Sequence, residues 1–250
     1  MHIDHLLFLL TGLILFIFYL YYLLPLSFNA KHPSDKSSFP AVSLIIAYKN
    51  EYPNLKFHLD HWLAQDYPEF EIILVNDHSE DEGPDFLAFR KQAKMNLIDL
   101  KDASGKKAAI QRGTMEARHD VLLFTDADCK PMSSQWLKQM VQPILDGKKI
   151  VVGYSGFYPR MSLLNVLQRY ENCMNALQNA AMVKKGRAYM AVGRNLAYEK
   201  KILENADLSE SAAIRSGDDD LLVNRFSKAG NTEFVGEVEA QTISEASGSW

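Results

Sequence analysis

Short apolar runs alternate along this chain with stretches whose apolar residues recur at helical spacing. Residues 42–47, 71–75, 96–100 and 121–124 are runs rich in Val, Ile and Leu, as strands buried on both faces of a parallel sheet would be. Between the first two, Leu55, Leu59, Trp62 and Leu63 fall on one side of a helix. Ser104-Gly105-Lys106-Lys107 opens a second helix that runs through Ala117. After Pro131, Ser133 or Ser134 is placed to cap a third, with Trp136, Leu137, Met140, Val141 and Ile144 as its inner face. A strand begins at Ile150. A long helix over 162–183 follows, with Leu163, Leu164, Leu167, Tyr170, Met174 and Leu177 read as core. A last helix opens at Gly217-Asp218-Asp219-Asp220 and ends near Gly230. Strands alternating with helices predict an α/β, Rossmann-like fold with a mostly parallel central sheet.

The N-terminal segment breaks this rhythm. Residues 6–24 carry no charge and are almost wholly apolar. That length fits a helix crossing a bilayer, which takes about 20 residues. Tyr19, Tyr21 and Tyr22 near its end suit an interfacial aromatic belt. A cleaved signal peptide is the rival reading, disfavoured because residues 1–5 hold no Lys or Arg and the apolar run is long. Lys31 and Lys36 beyond the span favour a cytosolic main domain, with Asp35 between them weakening the signal. The expected organisation is a transmembrane helix in 1–28, a Pro- and Ser-containing linker in 29–40 and one globular domain in 41–250.

Composition narrows the function. With 250 residues, 47% of them hydrophobic, the chain can bury a full core, and its net charge of −4 makes no electrostatic case for nucleic acid. Cys129 and Cys173 form neither a metal spacing nor a disulfide framework, which fits a reducing compartment. Cys129 is read as a small filler.

The candidate chemistry lies where the apolar runs end. Val121-Leu122-Leu123-Phe124 leads directly into Thr125-Asp126-Ala127-Asp128. Carboxylates two apart in an extended segment point the same way, so Asp126 and Asp128 can converge on one hard cation, Mg²⁺ or Mn²⁺, carrying a diphosphate. Open α/β sheets bind ligands at the carboxyl ends of their strands. The run at 71–75 ends in Asn76-Asp77-His78-Ser79, where Asp77 either holds a ribose or base edge or simply forms the turn. Lys106, beside Gly105 at a helix start, is placed to meet a phosphate or to be solvated. Gly193-Arg194-Asn195-Leu196-Ala197-Tyr198 reads as a loop entering a cleft. The acids at 218–220 suit a helix N-terminus, but three in a row exceed what capping needs, and one of them could act as a general base.

Taken together and in this order, these segments resemble the inverting family 2 glycosyltransferases, which have the nucleotide-sugar-binding GT-A fold. The likeness runs from about Val42 to the C-terminus. Residues 42–51 resemble the family's opening strand, which ends in Asn-Glu, here Asn50-Glu51. Asn76-Asp77-His78-Ser79 is similar to its acidic turn, Gly105-Lys106-Lys107-Ala108-Ala109 to its Gly-Lys segment, and Asp126-Ala127-Asp128 to its Asp-x-Asp motif. Gly193-Arg194-Asn195 looks like the acceptor-side loop. Gly217-Asp218-Asp219 looks like the Gly-Asp-Asp of hyaluronan-synthase-like members, with Leu222 and Arg225 keeping the spacing.

The resemblance implies an enzyme that moves a sugar with inversion from a nucleotide donor, a UDP-sugar by preference, to a glycan or lipid-linked acceptor at the membrane. It places Ala47, Tyr48, Glu51, Asp77, Lys106 and Asp126 on the nucleotide side. Asp128, with Asp126, would hold Mn²⁺ or Mg²⁺. Asp219 would be the general base, with Asp218 shaping the pocket, and Gly193, Arg194 and Asn195 would face the acceptor. The Gln-x-x-Arg-Trp motif and further membrane helices of many membrane-bound members do not follow here. The expectation is therefore a fragment, or a chain completed by a partner membrane protein. Two other functions fit the chain less well. A nucleotidyltransferase is disfavoured by the lack of glycine in residues 42–52. A membrane-anchored nucleotide-sugar-binding protein without activity is the non-enzymatic alternative.

Overall fold

The computed structural model describes residues 3–23, 38–101, 103–204, 223–228, 230–246 and 248. Its centre is a seven-stranded sheet in which β1 (Val42–Tyr48) lies between β2 (Phe70–Asn76) and β4 (Val121–Phe124), with β3 (Met95–Asp99) outside β2. On the other side of β4 the order continues through β8 (Leu196–Glu199), β6 (Ile150–Gly153) and β9 (Thr232–Val235). The pairs β3–β2, β2–β1, β1–β4 and β6–β9 are parallel, and only β8 runs against its neighbours. The four apolar runs are thus the four strands expected. Residues 42–46, 71–76 and 121–124 are buried throughout, which is why their sequences do not alternate.

The helices cover both faces. α2 (Tyr52–Leu63) buries Leu55, His58, Leu59 and Trp62, and α5 (Trp136–Leu145) buries all five residues of its expected inner face. α3 (Gly83–Phe89) and α4 (Lys106–Glu116) complete the crossovers of the first half. α6 (Leu163–Lys184) and the short α7 (Lys201–Glu204) flank β8. A small second sheet joins β5 (Lys130–Pro131), β10 (Thr242–Ser244) and β7 (Ser155–Phe157) in the order β5-β10-β7. Strands of two or three residues leave no periodic signal, and the sequence reading missed this sheet.

One charged group enters the first sheet near its amino end. Glu71 is 1% exposed and pairs in register with Ser43 across β1 and β2. Its carboxylate accepts from the Ser43 hydroxyl (2.7 Å), the Arg118 N–H (2.8 Å) and the Arg118 guanidinium (2.8 Å). Burial pushes this carboxyl up, but the Arg118 and Ser43 bonds outweigh it and leave it below its ordinary value. These bonds tie β1, β2 and the chain entering β4 together, opposite the end where the acidic turn lies.

Three expectations need correction. Neither Ser133 nor Ser134 is the cap of α5; that residue is Gln135, and the Ser133 hydroxyl instead accepts the Gln135 N–H at 2.9 Å in a turn leading into the helix. Residues 196–198 are not loop but part of β8, because their apolar side chains are needed between β4 and β6. The apolar face of the long helix is not core either. Leu163, Leu167, Tyr170 and Leu177 of α6 are 76%, 44%, 61% and 37% exposed.

The N-terminal helix α1 is Ile3–Leu23, and its residues 4–21 are apolar and long enough to cross a membrane by length and composition. Asp218, Asp219 and Leu222 lie outside the described residues, as does the linker segment 29–37. Residues 223–226 are helical, as the reading of that region expects.

Candidate active site

Strand order reverses between β1 and β4. That topological switch point is where an open α/β sheet forms a crevice at its carboxyl edge. The crevice here is about 220 Å³ and is lined by Ala47, Tyr48, Lys49, Glu51, Asp77, Lys106, Asp126, Ala127 and Asp128. All the residues expected on the nucleotide and metal side therefore meet in one cleft, contributed by the ends of β1, β2 and β4 and the start of α4. Lys49 and Ala127 line it as well and were not foreseen.

The acidic turn differs from the extended segment that the spacing argument assumed. The Cys129 N–H bonds the Asp126 carbonyl at 3.0 Å, closing a turn just past β4. Burial still alternates: Thr125, Ala127 and Cys129 point inward, while Asp126 and Asp128 are half-buried toward the cleft. The inward residues are fixed by α2 and by the turn itself. His58 Nδ1 donates to the Ala127 carbonyl (3.0 Å), and Trp62 Nε1 donates to the Cys129 carbonyl (3.3 Å). The Cys129 thiol lies 3.3 Å from Asp128 Oδ1 and donates to it. Burial, with Asp128 and Asp126 adding to it, pushes that thiol well up, so it stays a protonated donor. Cys129 is thus more than filler, since it orients one of the two carboxylates.

The signal for His58 was in the sequence. It shares a helix face with Leu55, Leu59 and Trp62, and a polar residue on a buried face needs a partner. Replacing His58 with alanine should leave the Ala127 carbonyl unpaired, costing about 1–3 kcal/mol in chemical denaturation and loosening the acidic turn. The pH dependence is also specific. Burial holds the imidazole below its ordinary value, against the Ala127 carbonyl and Asp128. A depressed folded-state value means stability that is full above the unfolded value of about 6.5 and lost as pH falls through the folded one. His61 is shifted the same way by burial, so the wild type carries both contributions. His58→Gln should show a shallower loss of stability below about pH 6.5 than the wild type; identical slopes would remove His58 from that role.

The turn after β2 is built just as tightly. Asn76 Oδ1 accepts the Ser79 N–H (2.8 Å), and its amide donates to Asp99 (2.9 Å). Asn50 and His78 sit at φ of 54° and 56°, a region that Asn and His enter more readily than most residues. The loops after β1 and β2 are joined by Asn50 N–H to the Ser79 hydroxyl (3.0 Å) and Glu80 N–H to Asn50 Oδ1 (2.8 Å). Asp77 is 5% exposed, and both its oxygens accept the Gly105 N–H, at 2.9 and 3.0 Å. Gly105 stands at φ 99°, where a side chain would be strained. Burial pushes the Asp77 carboxyl up, but Gly105, His78 and Lys49 outweigh it, so it is held ionised below its ordinary range.

Charge in the cleft is unbalanced. Glu51, Asp77, Asp126 and Asp128 face Lys49 and Lys106. Lys106 Nζ pairs with Asp126 Oδ1 at 2.6 Å. Glu51 is pushed up first by burial and then by Asp128 and Asp126, against the Asn54 amide, which donates to it at 2.6 Å. No group of three or more His, Cys, Asp or Glu side chains among the described residues is arranged to hold an ion alone. A pair of carboxylates is nevertheless the donor set that Mg²⁺ takes when phosphate oxygens supply the rest.

The segment expected on the acceptor side adjoins this turn. The Thr125 hydroxyl donates to the Arg194 carbonyl (2.9 Å). The Arg194 guanidinium lies 4.8 Å over the Phe157 ring and reaches the Ser244 hydroxyl at 3.2 Å. Asn195 has a different role from its neighbours. It is fully buried, accepts from Trp136 Nε1 (3.0 Å) and donates to the carbonyls of Tyr154 (2.9 Å) and Ala240 (2.8 Å). It knits α5, the β6–β7 junction and the C-terminal turn together. Asn195→Ala should cost about 2 kcal/mol or more, because it leaves the buried Trp136 N–H and the Ala240 carbonyl unpaired, while the Tyr154 carbonyl keeps the Thr242 N–H. An unchanged denaturation midpoint would contradict this.

The family profile described as Glycosyl transferase family 2 matches residues 43–206, more than half of the chain. Among curated proteins, poly-beta-1,6-N-acetyl-D-glucosamine synthase of Staphylococcus epidermidis is 30% identical over 96 residues, which are 38% of this chain and 23% of the synthase. Glycosyltransferase AglE of Haloferax volcanii is 28% identical over 188 residues, 73% of this chain and 60% of AglE. The chain thus spans less than two thirds of the length of either relative. Among solved structures, the mannosyltransferase PcManGT of Pyrobaculum calidifontis in complex with GDP-Man and Mn²⁺ is similar with a TM-score of 0.65 at 18% identity. That likeness covers 92% of this chain and 65% of the other. S. aureus TarS, residues 1–349, has a TM-score of 0.60 at 16% identity over 82% of this chain and 60% of its own. These structural likenesses speak for the fold. The sequence match begins within β1, takes in the switch point and its acidic turn, and extends past β8, so the chain belongs to glycosyl transferase family 2 and has the GT-A-like α/β fold of its structural neighbours.

Proposed function

We propose that this glycosyltransferase transfers a sugar, with inversion, from a nucleoside-diphosphate donor to an acceptor hydroxyl on a glycan or lipid-linked glycan at a membrane surface. The observation that carries the reading is the convergence of Asp77, Lys106, Asp126 and Asp128 on one cleft at the switch point. UDP is the nucleotide first in line. GDP is the second, since the similar mannosyltransferase was solved with GDP-Man and Mn²⁺.

The residues divide the work. Asp77 is fixed by Gly105 with its charge intact, suited to the ribose or base edge. Lys106 sits where it can leave Asp126 for a phosphate oxygen. Four carboxylates against two ammonium groups would repel a diphosphate, so the cleft fits a donor that arrives with Mn²⁺ or Mg²⁺ held by Asp128 and Asp126. Such an ion supplies neutralisation of the leaving diphosphate as a Lewis acid. In the transfer itself, the acceptor oxygen bonds the anomeric carbon as the bond from that carbon to the diphosphate oxygen breaks. The acceptor proton passes to a carboxylate, assigned to Asp219 with Asp218 beside it. Gly193 and Arg194, held against Thr125, border the acceptor's approach, and Asn195 fixes their place.

The apolar helix α1 supports a single-pass anchor; Lys31 and Lys36 beyond it favour the catalytic domain in the cytosol, and a partner membrane protein is compatible with this arrangement. Calorimetric titration of the full chain in detergent with UDP and GDP, each with and without Mn²⁺, tests the nucleotide and the metal. Metal-dependent binding of one nucleotide is expected. Absence of binding by both, with the protein folded, would remove the proposed donor site.

A further inference from the structure

Helix α6 is inverted. Its face toward the domain is polar: Asn165, Asn172 and Asn179 recur every seven residues and donate to the carbonyls of Tyr158 (3.1 Å), Ser155 (2.9 Å) and Met190 (2.8 Å). Between Leu163 and Leu177 its apolar stripe faces away, and only its last turn buries apolar residues, Ala180, Ala181 and Val183. Leu163, Val166, Leu167, Tyr170 and Leu177 are all exposed, Leu163, Val166 and Tyr170 by more than half of their surface. At 100° per residue they fall with Cys173 and Met174 in an arc of about 120°. The charged residues Arg169 and Glu171 lie outside this arc. From Leu163 to Leu177 the stripe runs about 21 Å at the helical rise. A soluble helix places its apolar stripe inward and its amides outward, so this arrangement needs an apolar surrounding on the outer side.

The structure indicates what that surrounding is. α1, apolar on every side and long enough to span a bilayer, packs on α6. One bond of this contact lies at the C-terminal end of α6, beyond the stripe, where the Lys185 ammonium donates to the Tyr21 carbonyl at 2.7 Å. A tyrosine at the end of a span and a lysine beside it are what the headgroup level selects. A helix with an uncharged apolar stripe, joined there to a spanning helix, lies in the plane of the interface.

We infer that α6 is a second membrane contact, with its Leu163–Leu177 stripe seated at the headgroup–acyl boundary, so that α1 and α6 together fix the tilt of the catalytic domain against the bilayer. This rests on the reading of α1 as an anchor. The test uses the full chain in phosphatidylcholine–phosphatidylglycerol vesicles with a polarity-sensitive thiol probe on Cys173. That thiol is exposed, whereas Cys129 is buried. Flotation after an alkaline carbonate wash reads α1 by itself. The probe is expected to be quenched by shallow nitroxide lipids and shielded from aqueous iodide. The double variant L167K/Y170K should lose most of the lipid quenching. Both positions are exposed, so emission from the buried Trp62 and Trp136 should stay unchanged. A chain that floats while iodide reaches Cys173 keeps the anchor and overturns the α6 contact. Shielding from both quenchers means that a protein surface, a second copy or another chain, covers the stripe, and also overturns it. A chain that does not float overturns the anchor and this inference together.

Discussion

Asp128→Ala is expected to eliminate the metal dependence of nucleotide binding and to reduce transfer by about 10²–10³-fold or more, the usual cost of deleting one charge-stabilising group from a site. Asp128 is half-buried, its side chain faces the cleft, and its protein partner is the neighbouring Cys129 thiol at 3.3 Å. Removing it therefore takes a hard ligand from the cleft and unpairs only the weak S–H donor of the buried Cys129, so thermal stability should fall little. Asp126→Ala must behave differently, because it also breaks the 2.6 Å pair with Lys106. Lys106, freed from Asp126, would hold the diphosphate by itself, so this variant should keep some metal-independent nucleotide affinity that Asp128→Ala lacks. Titration of UDP and GDP with and without Mn²⁺ into both variants separates the two carboxylates. Equal nucleotide affinity for wild type and Asp128→Ala in Mn²⁺ would take Asp128 out of the metal site.

Much of the cleft is legible in the sequence because three of its walls are the ends of apolar strands, with the start of α4 as the fourth. Such runs are conspicuous, and in a parallel sheet their carboxyl ends must share one edge. The strand ends predict one shared edge for Ala47, Asp77 and Asp126, and the family resemblance is what groups them on the nucleotide side. The support behind the cleft was less legible. Asn195 read as a loop residue because Gly193 and Arg194 precede it, but its amide is taken up by Trp136, Tyr154 and Ala240, which only the tertiary fold brings together. His58 was overlooked among the leucines of α2 although its ring holds the acidic turn through one carbonyl. The α6 face was misread for a physical reason. Helical spacing shows that Leu163, Leu167 and Tyr170 share a side but not which medium that side meets. The asparagines seven apart were the unused clue, since they mark the side that bonds to protein.

Asp219→Asn is expected to abolish transfer while leaving nucleotide binding intact. A carboxylate that takes a proton in the transition state contributes about 10²–10⁴-fold, and the amide keeps its shape but cannot accept the proton. The residue lies outside the described segments, so the expectation rests on the order of motifs in the sequence and on the helix at 223–226 that follows it. The acids at 218–220 put like charges on adjacent residues, and like charges held close together oppose ionisation. The pH profile of transfer should therefore have an acid limb above the ordinary aspartate range. A deprotonated carboxylate is the active form, so the rate rises with pH through that limb and Asp219→Asn lacks it. Asp218→Asn should instead move the limb to lower pH, because it removes the neighbouring charge, and should retain most of the rate. If Asp219→Asn transfers sugar at a near-native rate while Asp218→Asn does not, the base is Asp218 and the assignment within the pair reverses. Measuring single-turnover transfer for both variants from pH 4 to 8, spanning the range over which a raised carboxylate titrates, distinguishes the two.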